Sequence, residues 1–244
     1  MKFDLSQIKY SKKDLIKNIK IPVELTEELA EDIGLHVGDG SLYSHGKETY
    51  EFSYSGNFIE KDYMGFIIEL KKKLYNINKI RKYRYGNEFR VNFNSLAIAT
   101  FYSNILGLPI GKKKDIDVPN IIKNCEDKKI IAAFLRGIVD TDFCLALRKT
   151  NKGYNPSLEG ASASKNLILS LYKLFKKLGI DSSLELDTIR FDKRVNKYYK
   201  INKIIIRKKT SLINSLKLIK SRNKKYQDRI KKMGPMEFES TTSA

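Results

Sequence analysis

Apolar residues recur along this chain with two different periods, and the period changes in a regular order. Over 59–77 they recur every three or four residues, which predicts an amphipathic helix. Over 87–93 apolar and polar side chains alternate, which predicts a strand with one buried face. The same alternation of helical and extended segments fills nearly the whole chain and predicts an α+β protein.

The order of these segments occurs twice, so the chain reads as an internal duplication. After a first helix that ends near Gly38, the pattern predicts strands at 41–44 and 49–55, a helix at 59–77, strands at 79–86 and 87–93, and a helix at 95–106. After a second helix that ends near Asp142, it predicts strands at 143–149 and 156–163, a helix at 164–179, strands at 182–191 and 197–209, and a helix at 211–221. Each half is therefore predicted to be α-β-β-α-β-β-α, and the two halves to be pseudo-symmetric.

Breaks in the pattern divide the chain into five parts. The stretch after residue 108 is rich in Gly, Pro and charge, which is typical of a linker. The last residues have no periodicity, which predicts a disordered tail. We expect an N-terminal extension at 1–21, a first half at 22–108, a linker at 109–125, a second half at 126–222, and a C-terminal basic segment with the tail at 223–244.

Charge is the clearest property of the composition. Lys and Arg number 47 against 28 Asp and Glu, a net charge of +19, which favours a polyanion such as nucleic acid as partner. Two cysteines and two histidines are too few for a disulfide framework or a Cys/His zinc cluster. No run approaches the roughly 20 apolar residues that span a bilayer, and the first residues lack a secretory signal. We therefore expect a cytoplasmic protein without membrane contact.

The two repeats each begin with a helix that ends at an acid. These helices carry the sequences DIGLHVGDG and LRGIVDTDF, with Asp39 and Asp142 lying 103 residues apart at equivalent positions. Small residues precede each acid at every fourth position, which makes a smooth stripe along one helix face. The stripes consist of Ala30, Gly34 and Gly38 in one helix and Ala133, Gly137 and Thr141 in the other. Such stripes let helix backbones approach closely, so we expect the two acids to be neighbours.

Two neighbouring carboxylates repel each other unless a cation lies between them. Helix ends add free carbonyl groups, here those of Gly38 and Thr141, and oxygen ligands of this kind suit Mg²⁺ or Mn²⁺. A metal held in this way activates water and stabilises the charge of a breaking phosphodiester. The sequence therefore predicts a metal-dependent phosphodiester hydrolase with Asp39 and Asp142 as catalytic metal ligands.

The two acid-ending sequences resemble the paired motifs of the LAGLIDADG homing endonucleases, and the resemblance extends over roughly residues 22–222. It implies a monomer in which the motif helices pack at the centre and the strands form an antiparallel saddle on double-stranded DNA. It also implies two or three Mg²⁺ or Mn²⁺ ions shared between the acids, and double-strand breaks with short 3′ overhangs at a long asymmetric target. Such cleavage would promote the mobility of an intron or of the gene itself.

The motifs depart from the family pattern at several positions. The residue after the acid is Gly40 in the first motif and Phe143 in the second, so the second helix must end without a glycine. Asp140 is more simply a solvated acid than a ligand, and His36 is more simply a core or surface histidine. Family members also place polar side chains around the metals, and Lys165, at the corresponding strand-to-helix corner of the second half, is our candidate for that catalytic role.

Basic and amide side chains on the strands are candidates for reading DNA bases, whereas Lys112, Lys113 and Lys224 are expected to contact phosphates. The candidates in the first half are Arg81, Lys82, Arg84, Arg90, Asn92 and Asn94. Those in the second half are Arg148, Lys149, Arg190, Arg194, Lys200, Asn202 and Arg207. The two sets differ, which predicts an asymmetric target.

Two other functions use the same basic surface. An RNA maturase would bind intron RNA and assist splicing, and a regulator would bind DNA without cutting it. Retained acids disfavour the regulator but do not exclude the maturase. The Lys/Ile/Asn-rich composition hints at an archaeal or other prokaryotic host, with an organellar origin left open.

Overall fold

The computed structural model describes residues 2–151 and 153–232 of the chain, so the predicted tail from residue 233 onward lies outside the described residues. A short helix, α1 (Lys12–Ile16), precedes the first half. That half contains α2 (Glu27–Val37), β1 (Gly40–Ser44), β2 (Tyr50–Asn57), a 3₁₀ turn (Phe58–Glu60), α3 (Lys61–Tyr75), β3 (Arg81–Tyr85), β4 (Glu88–Asn94), and α4 (Leu96–Thr100), which continues as a π-helical turn (Phe101–Ile105).

The second half repeats this order after a short connecting helix, α5 (Asn120–Lys123). It contains α6 (Lys128–Asp142), β5 (Phe143–Thr150), β6 (Gly153–Ser162), α7 (Lys165–Lys177), β7 (Ser183–Asp192), β8 (Lys197–Ile206) and α8 (Lys209–Ile219). A further helix, α9 (Lys224–Lys232), follows in the segment predicted to be basic. The predicted order of both halves is confirmed.

The strands form two antiparallel sheets with equivalent topology, β1-β2-β4-β3 and β5-β6-β8-β7. The faces alternate as predicted over 87–93, because Val91 and Phe93 are buried in the core and Arg90 and Asn94 lie half-buried on the opposite face. Asn92 on that opposite face is buried as well. Val91 and Phe93 belong to the hydrophobic core that also includes helix residues. We call the sheet face on this side the inner face and the opposite one the outer face. The predicted α+β architecture of two pseudo-symmetric halves is thus present, and no helix within the described ranges is long and apolar enough to span a membrane.

The two acid-ending helices, α2 and α6, pack against each other at the centre of the molecule. A Cβ atom added at Gly34 would lie 2.1 Å from the carbonyl oxygen of Phe134, and one at Gly137 would lie 2.2 Å from that of Glu31. Real Cβ atoms do not approach so closely, so only glycine fits at these crossing points. Ala30 and Ala133 are fully buried beside them. The predicted packing through small residues is confirmed.

The start of each sheet shows why the second helix can end without a glycine. Gly40 on β1 faces Tyr54 on β2, whereas Phe143 on β5 faces Gly160 on β6. A Cβ added at Gly40 would lie 2.8 Å from the Tyr54 ring, and one at Gly160 would lie 2.4 Å from the Phe143 ring. Each half therefore pairs one glycine with one aromatic residue at this position, with the two exchanged between strands.

The first half also contains a buried ion pair. The ammonium of Lys71 on α3 lies 2.6 Å from the carboxylate of Asp32 on α2, and both side chains are almost inaccessible to solvent. Tyr75 donates a hydrogen bond to the same carboxylate at 2.7 Å, and Lys71 donates to the hydroxyl of Tyr54 at 2.6 Å. Partners on both charges offset the cost of burying them, and the cluster ties α2, α3 and β2 together.

Candidate active site

Asp39 and Asp142 lie at the adjacent carboxyl-terminal ends of α2 and α6. Gly38 ends α2, and a Cβ added there would lie 2.0 Å from the hydroxyl oxygen of Thr141 and 3.4 Å from a carboxylate oxygen of Asp142. Both acids can be reached from solvent, although protein atoms surround a large part of each carboxylate. The structure therefore brings the two acids together at the junction of the halves, as the helix stripes predicted.

The surroundings of these acids disfavour their negative charge. Burial, and then the charge of Asp39, raises the pKa of Asp142 to about 6. Burial likewise raises the pKa of Asp39, although the nearby ammonium groups of Lys225 and Lys113 oppose this shift. A desolvated carboxylate whose pKa is raised further by a neighbouring carboxylate gains most from a bound cation, so the pair has the chemistry of a metal site.

Lys113 closes the end of α2. Its ammonium donates hydrogen bonds to the carbonyl oxygens of His36, Val37 and Gly38 at 2.7, 3.0 and 2.6 Å. These are the carbonyls that a helix end leaves without partners, and a cation is favoured there. Burial lowers the pKa of Lys113 to about 8, against the opposing charges of Asp142 and Asp39. The lysine thus places a positive charge beside both acids.

The segment after α8 closes the end of α6 in an equivalent way. The Tyr226 hydroxyl lies within hydrogen-bonding distance of the carbonyls of Val139 and Phe143, at 2.6 and 2.5 Å. Asn223 donates to the carbonyl of Asp140 at 3.2 Å, and Lys225 donates to that of Thr141 at 3.4 Å. Each motif helix is therefore capped by the segment that follows its own half, and each cap brings one lysine towards the acids.

Asp140 and Lys165 have other partners than the sequence predicted, and His36 lies in the core. Asp140 is buried and accepts hydrogen bonds from the Ser221 hydroxyl and the Arg222 amide, so it anchors the C-terminal segment instead of facing solvent. His36 is buried beside Tyr54, and burial holds its pKa well below the ordinary value. Lys165 is exposed, and its ammonium lies 2.5 Å from the Asp187 carboxylate rather than among the groups that surround the acid pair.

Solved structures with the same architecture are known. The structure described as I-DmoI in complex with DNA and Mn shares 15% identity, with a TM-score of 0.53, over 81% of this chain and 99% of that one. The structure described as the LAGLIDADG homing endonuclease I-GzeII in complex with a DNA target shares 13% identity, with a TM-score of 0.54, over 84% of this chain and 87% of that one. The chain has the LAGLIDADG homing endonuclease fold.

The sequence gives a second line of evidence for the same relationship. The family model described as LAGLIDADG-like domain matches residues 129–225, which run from α6 to the start of α9. This match contains the second motif, with Asp142, and the capping segment up to Lys225. No curated protein matches the chain. The second half thus matches this domain in sequence, and both halves share the fold of the two solved structures.

The outer faces of the two LAGLIDADG sheets carry part of the predicted DNA-reading set. In the first sheet, the strand register places Arg81 beside Asn92 and in line with Arg90 and Asn94 on the outer face. The Asn92 side chain is 8% exposed, because it donates to Glu51 and accepts from Ser53. In the second sheet, the outer face carries Arg148, Arg190 and Arg207.

Other members of that set lie elsewhere. Lys82 and Arg84 pair with the core residues Val91 and Phe89, which places them on the inner face, and the Arg84 guanidinium lies 3.7 Å from the centre of the Phe58 ring. Lys149 and Lys200 also follow the inner-face register. Arg194 lies in the turn between β7 and β8 and is paired with Asp192.

Asn202 makes hydrogen bonds to the backbone that the sequence did not indicate. It is 1% exposed, accepts a hydrogen bond from the Asp187 amide, and donates to the carbonyls of Ser162 and Ala163. Asp187 lies in an irregularity of β7 and has a positive φ of 55°. Asn202 therefore stabilises a bulge, and its amide is not available to a DNA base.

The sequence interpretation missed two lysines and one outer-face residue. Lys113 was assigned to phosphates, Lys225 was not singled out, and Lys203 lies on the outer face opposite Ala161. A signal was present, because a lysine cluster follows the last helix of each half, GKKKD in one and SRNKKY in the other. Only the fold shows that both clusters return to the ends of the motif helices.

The effect of the Asp39 charge on the pKa of Asp142 can be measured directly. In the metal-free protein we expect Asp39→Asn to lower the pKa of Asp142 from about 6, because the neighbouring charge is gone, while burial keeps it above its ordinary value. Carboxylate ¹³C NMR titration would measure this, with the exposed Asp62→Asn as control. An unchanged Asp142 titration in Asp39→Asn would show that the two acids are not electrostatic neighbours.

Proposed function

We propose that this protein is a metal-dependent DNA endonuclease that cuts both strands at one long, asymmetric site. The observation that carries the proposal is the pair Asp39 and Asp142, held with raised pKa values at the ends of two closely packed helices between the sheets. A net charge of +19 supports a nucleic acid as substrate. The comparable structures of I-DmoI and I-GzeII contain bound DNA, and that of I-DmoI contains Mn.

Asp39 and Asp142 would hold Mg²⁺ or Mn²⁺. Within the described residues no group of three or more His, Cys, Asp or Glu is arranged to bind a metal, so water and DNA phosphates would complete the coordination. When bound, such an ion activates water for attack and stabilises the charge on the phosphate. The Gly38 carbonyl accepts a short hydrogen bond from Lys113 at 2.6 Å, whereas the bond from Lys225 to the Thr141 carbonyl is longer, at 3.4 Å. We therefore leave Gly38 out of the proposed ligands and retain the Thr141 carbonyl.

Lys113 and Lys225 would stabilise the charge on the DNA phosphates in the same reaction. Each is fixed by the carbonyls at the end of a motif helix and each exerts a positive field on both acids. A fixed ammonium beside the cleaved phosphate stabilises the negative charge that develops there. One lysine near each helix end would serve one DNA strand, in place of the exposed Lys165.

The outer faces would lie along the major grooves on the two sides of the cut. Their side chains differ between the halves, so we propose an asymmetric target, with cuts across the central minor groove that leave short 3′ overhangs. The unit that binds would be a monomer made of the halves 22–108 and 126–222, joined by residues 109–125 and closed by the C-terminal segment. Such cleavage would promote the mobility of an intron or of the gene itself.

Cleavage of a randomised duplex library tests this proposal. The protein is incubated with the library in Mg²⁺, Mn²⁺, Ca²⁺ or EDTA, and cut products are sequenced from both ends. We expect double-strand cuts in Mg²⁺ or Mn²⁺ at one asymmetric sequence. Specific binding without cutting in any metal would contradict the endonuclease and favour a regulator, and preferential binding of intron RNA would favour a maturase.

Replacement of Lys113 should reduce cleavage more than binding. We expect Lys113→Met to slow cutting of the selected site by about 100-fold, with the affinity changed only a few-fold, because the ammonium faces the acids and not the sheets. In the wild type, the rate gain from this charge should decline above pH 8, where Lys113 loses its proton. Lys114→Met changes the exposed lysine that follows Lys113 in sequence; it is the matched control and should cut at the wild-type rate.

A further inference from the structure

A buried acid helps to fix the N-terminal extension to the end of the first sheet that lies away from Asp39. Asp14 on α1 is 1% exposed and accepts hydrogen bonds from the amides of Leu96 and Ala97, at the start of α4, at 3.1 and 3.2 Å. The same carboxylate accepts from the amide and hydroxyl of Ser11, which caps α1. Because α4 directly follows β4, α1 has a defined position at that end of the sheet.

A groove of about 660 Å³ lies between α1 and the turn that joins β1 to β2. Its cationic lining consists of Lys12, Lys13, Lys17, Lys47 and Arg81. Three acids also line it. Asp14 is occupied by backbone amides and Glu51 is paired with Arg81 at 2.7 Å, which leaves Glu48 as the one other acid against four lysines in this lining. Among the described residues the four lysines have no ion pair with a carboxylate, so the groove has an excess of uncompensated positive charge.

The groove continues the outer face of the first sheet. Arg81 and Asn94, which lie on that face, also line the groove. In the register of β1 and β2, Gly40 marks the end of the sheet next to Asp39, whereas Ser44 and Tyr50 mark the end next to the groove. A duplex that follows the outer face away from the acids therefore reaches this groove as it leaves the sheet.

We propose that this groove binds DNA backbone phosphates beyond the sheet, so that the N-terminal extension lengthens the contact with the target on the first-half side. The inference rests on the proposed function, because it assumes that the outer faces lie on DNA. Its ligand is the phosphodiester backbone, which lysines bind without reading the sequence. The groove would thus add affinity and salt dependence and leave the preferred sequence unchanged.

The test combines a triple lysine variant with duplexes of two lengths. Lys12→Gln/Lys13→Gln/Lys17→Gln removes three exposed or half-exposed charges, and Lys128→Gln/Lys129→Gln/Lys176→Gln removes three exposed charges from helices away from the outer faces. Both variants should keep the wild-type melting temperature. Affinity for the library-selected site is measured against salt concentration, on a long duplex and on one shortened at the first-half end.

On the long duplex we expect the α1 triple variant to bind about tenfold more weakly near physiological salt, and its log–log salt slope to be shallower by up to about three. On the short duplex, wild type and variant should bind equally. The control triple should match wild type on both. Equal binding of the α1 variant and wild type on the long duplex would contradict the proposal that the groove binds phosphates. A loss of affinity that persists on the short duplex would contradict it as well.

The failure of the groove can be separated from failure of the endonuclease. Suppose that wild type cuts the selected site in Mg²⁺ while the α1 triple variant has unchanged affinity and salt slope. The proposed phosphate binding in the groove is then wrong, and the proposed endonuclease activity is retained. If wild type binds the long duplex but never cuts, the endonuclease is wrong, and the length-dependent loss still decides whether the groove holds phosphates.

Discussion

Asp39→Asn and Asp142→Asn should each abolish double-strand cleavage while leaving DNA binding within a few-fold of wild type. Either change would remove a proposed direct metal ligand, so we expect the rate to fall by roughly a thousandfold, more than the roughly 10- to 100-fold loss that follows an outer-shell change. The sheets that would hold DNA are untouched. Cleavage and affinity would be measured on the same selected duplex in Mg²⁺ and in Ca²⁺.

Stability gives this prediction an independent readout. The folded-state pKa of Asp142 is raised to about 6, above its value of 3.8 in the unfolded chain, so metal-free stability declines as the pH rises between these values. At neutral pH the neutral Asn should therefore melt at the same temperature as wild type or higher. Mg²⁺ should raise the melting temperature of wild type more than that of either variant. Cleavage retained by Asp142→Asn would place the metal elsewhere.

Gly137→Ala should strongly destabilise the protein. The new Cβ would lie 2.2 Å from the Glu31 carbonyl oxygen and 2.6 Å from the Leu35 amide nitrogen, so the two motif helices would have to separate. We expect a loss of about 3 kcal/mol or more in the free energy of unfolding, or roughly 10 °C in melting temperature. Cleavage should fall as well, since the acids move apart with the helices.

Gly65→Ala is the matched control for this change. Gly65 also lies inside a helix, α3, but a Cβ there meets no atom within 4 Å. Alanine is the better helix former, so this variant should gain about 0.5–1 kcal/mol of stability. Urea unfolding of both variants would compare them. Similar effects at the two glycines would mean that the close crossing of α2 and α6 is not what requires Gly137.

Hydrophobic period and motif spacing were sufficient to predict the fold and the meeting of the two acids. The period of each segment is set locally, and the small-residue stripes of α2 and α6 leave the helices one close way to pack. The duplication supplied the rest, because it predicts an equivalent position for each element in the second half. Asp39 and Asp142 could therefore be placed side by side from their sequence positions alone.

The surroundings of the acids could not be placed in this way. Lys113 and Asn223 reach the helix ends from segments that have no period of their own, so only the tertiary structure brings them there. Asn202 shows a related limit, since the bulge at Asp187 decides what its amide contacts. Lys82 and Arg84 are basic residues on a strand, but their face depends on a register that the short β3 sequence does not specify.

The exchanged glycine–aromatic pairs have a consequence for how the halves can change. Gly40 with Tyr54, and Phe143 with Gly160, are each complementary within one half. If the halves arose by duplication, both residues of one pair have since been substituted. A substitution at only one of the two positions leaves either two rings or none in the same space. Each glycine–aromatic pair is therefore complete within one half. Recombination in the linker would keep both pairs intact, whereas a crossover between the two strands of a pair would combine two rings or two glycines.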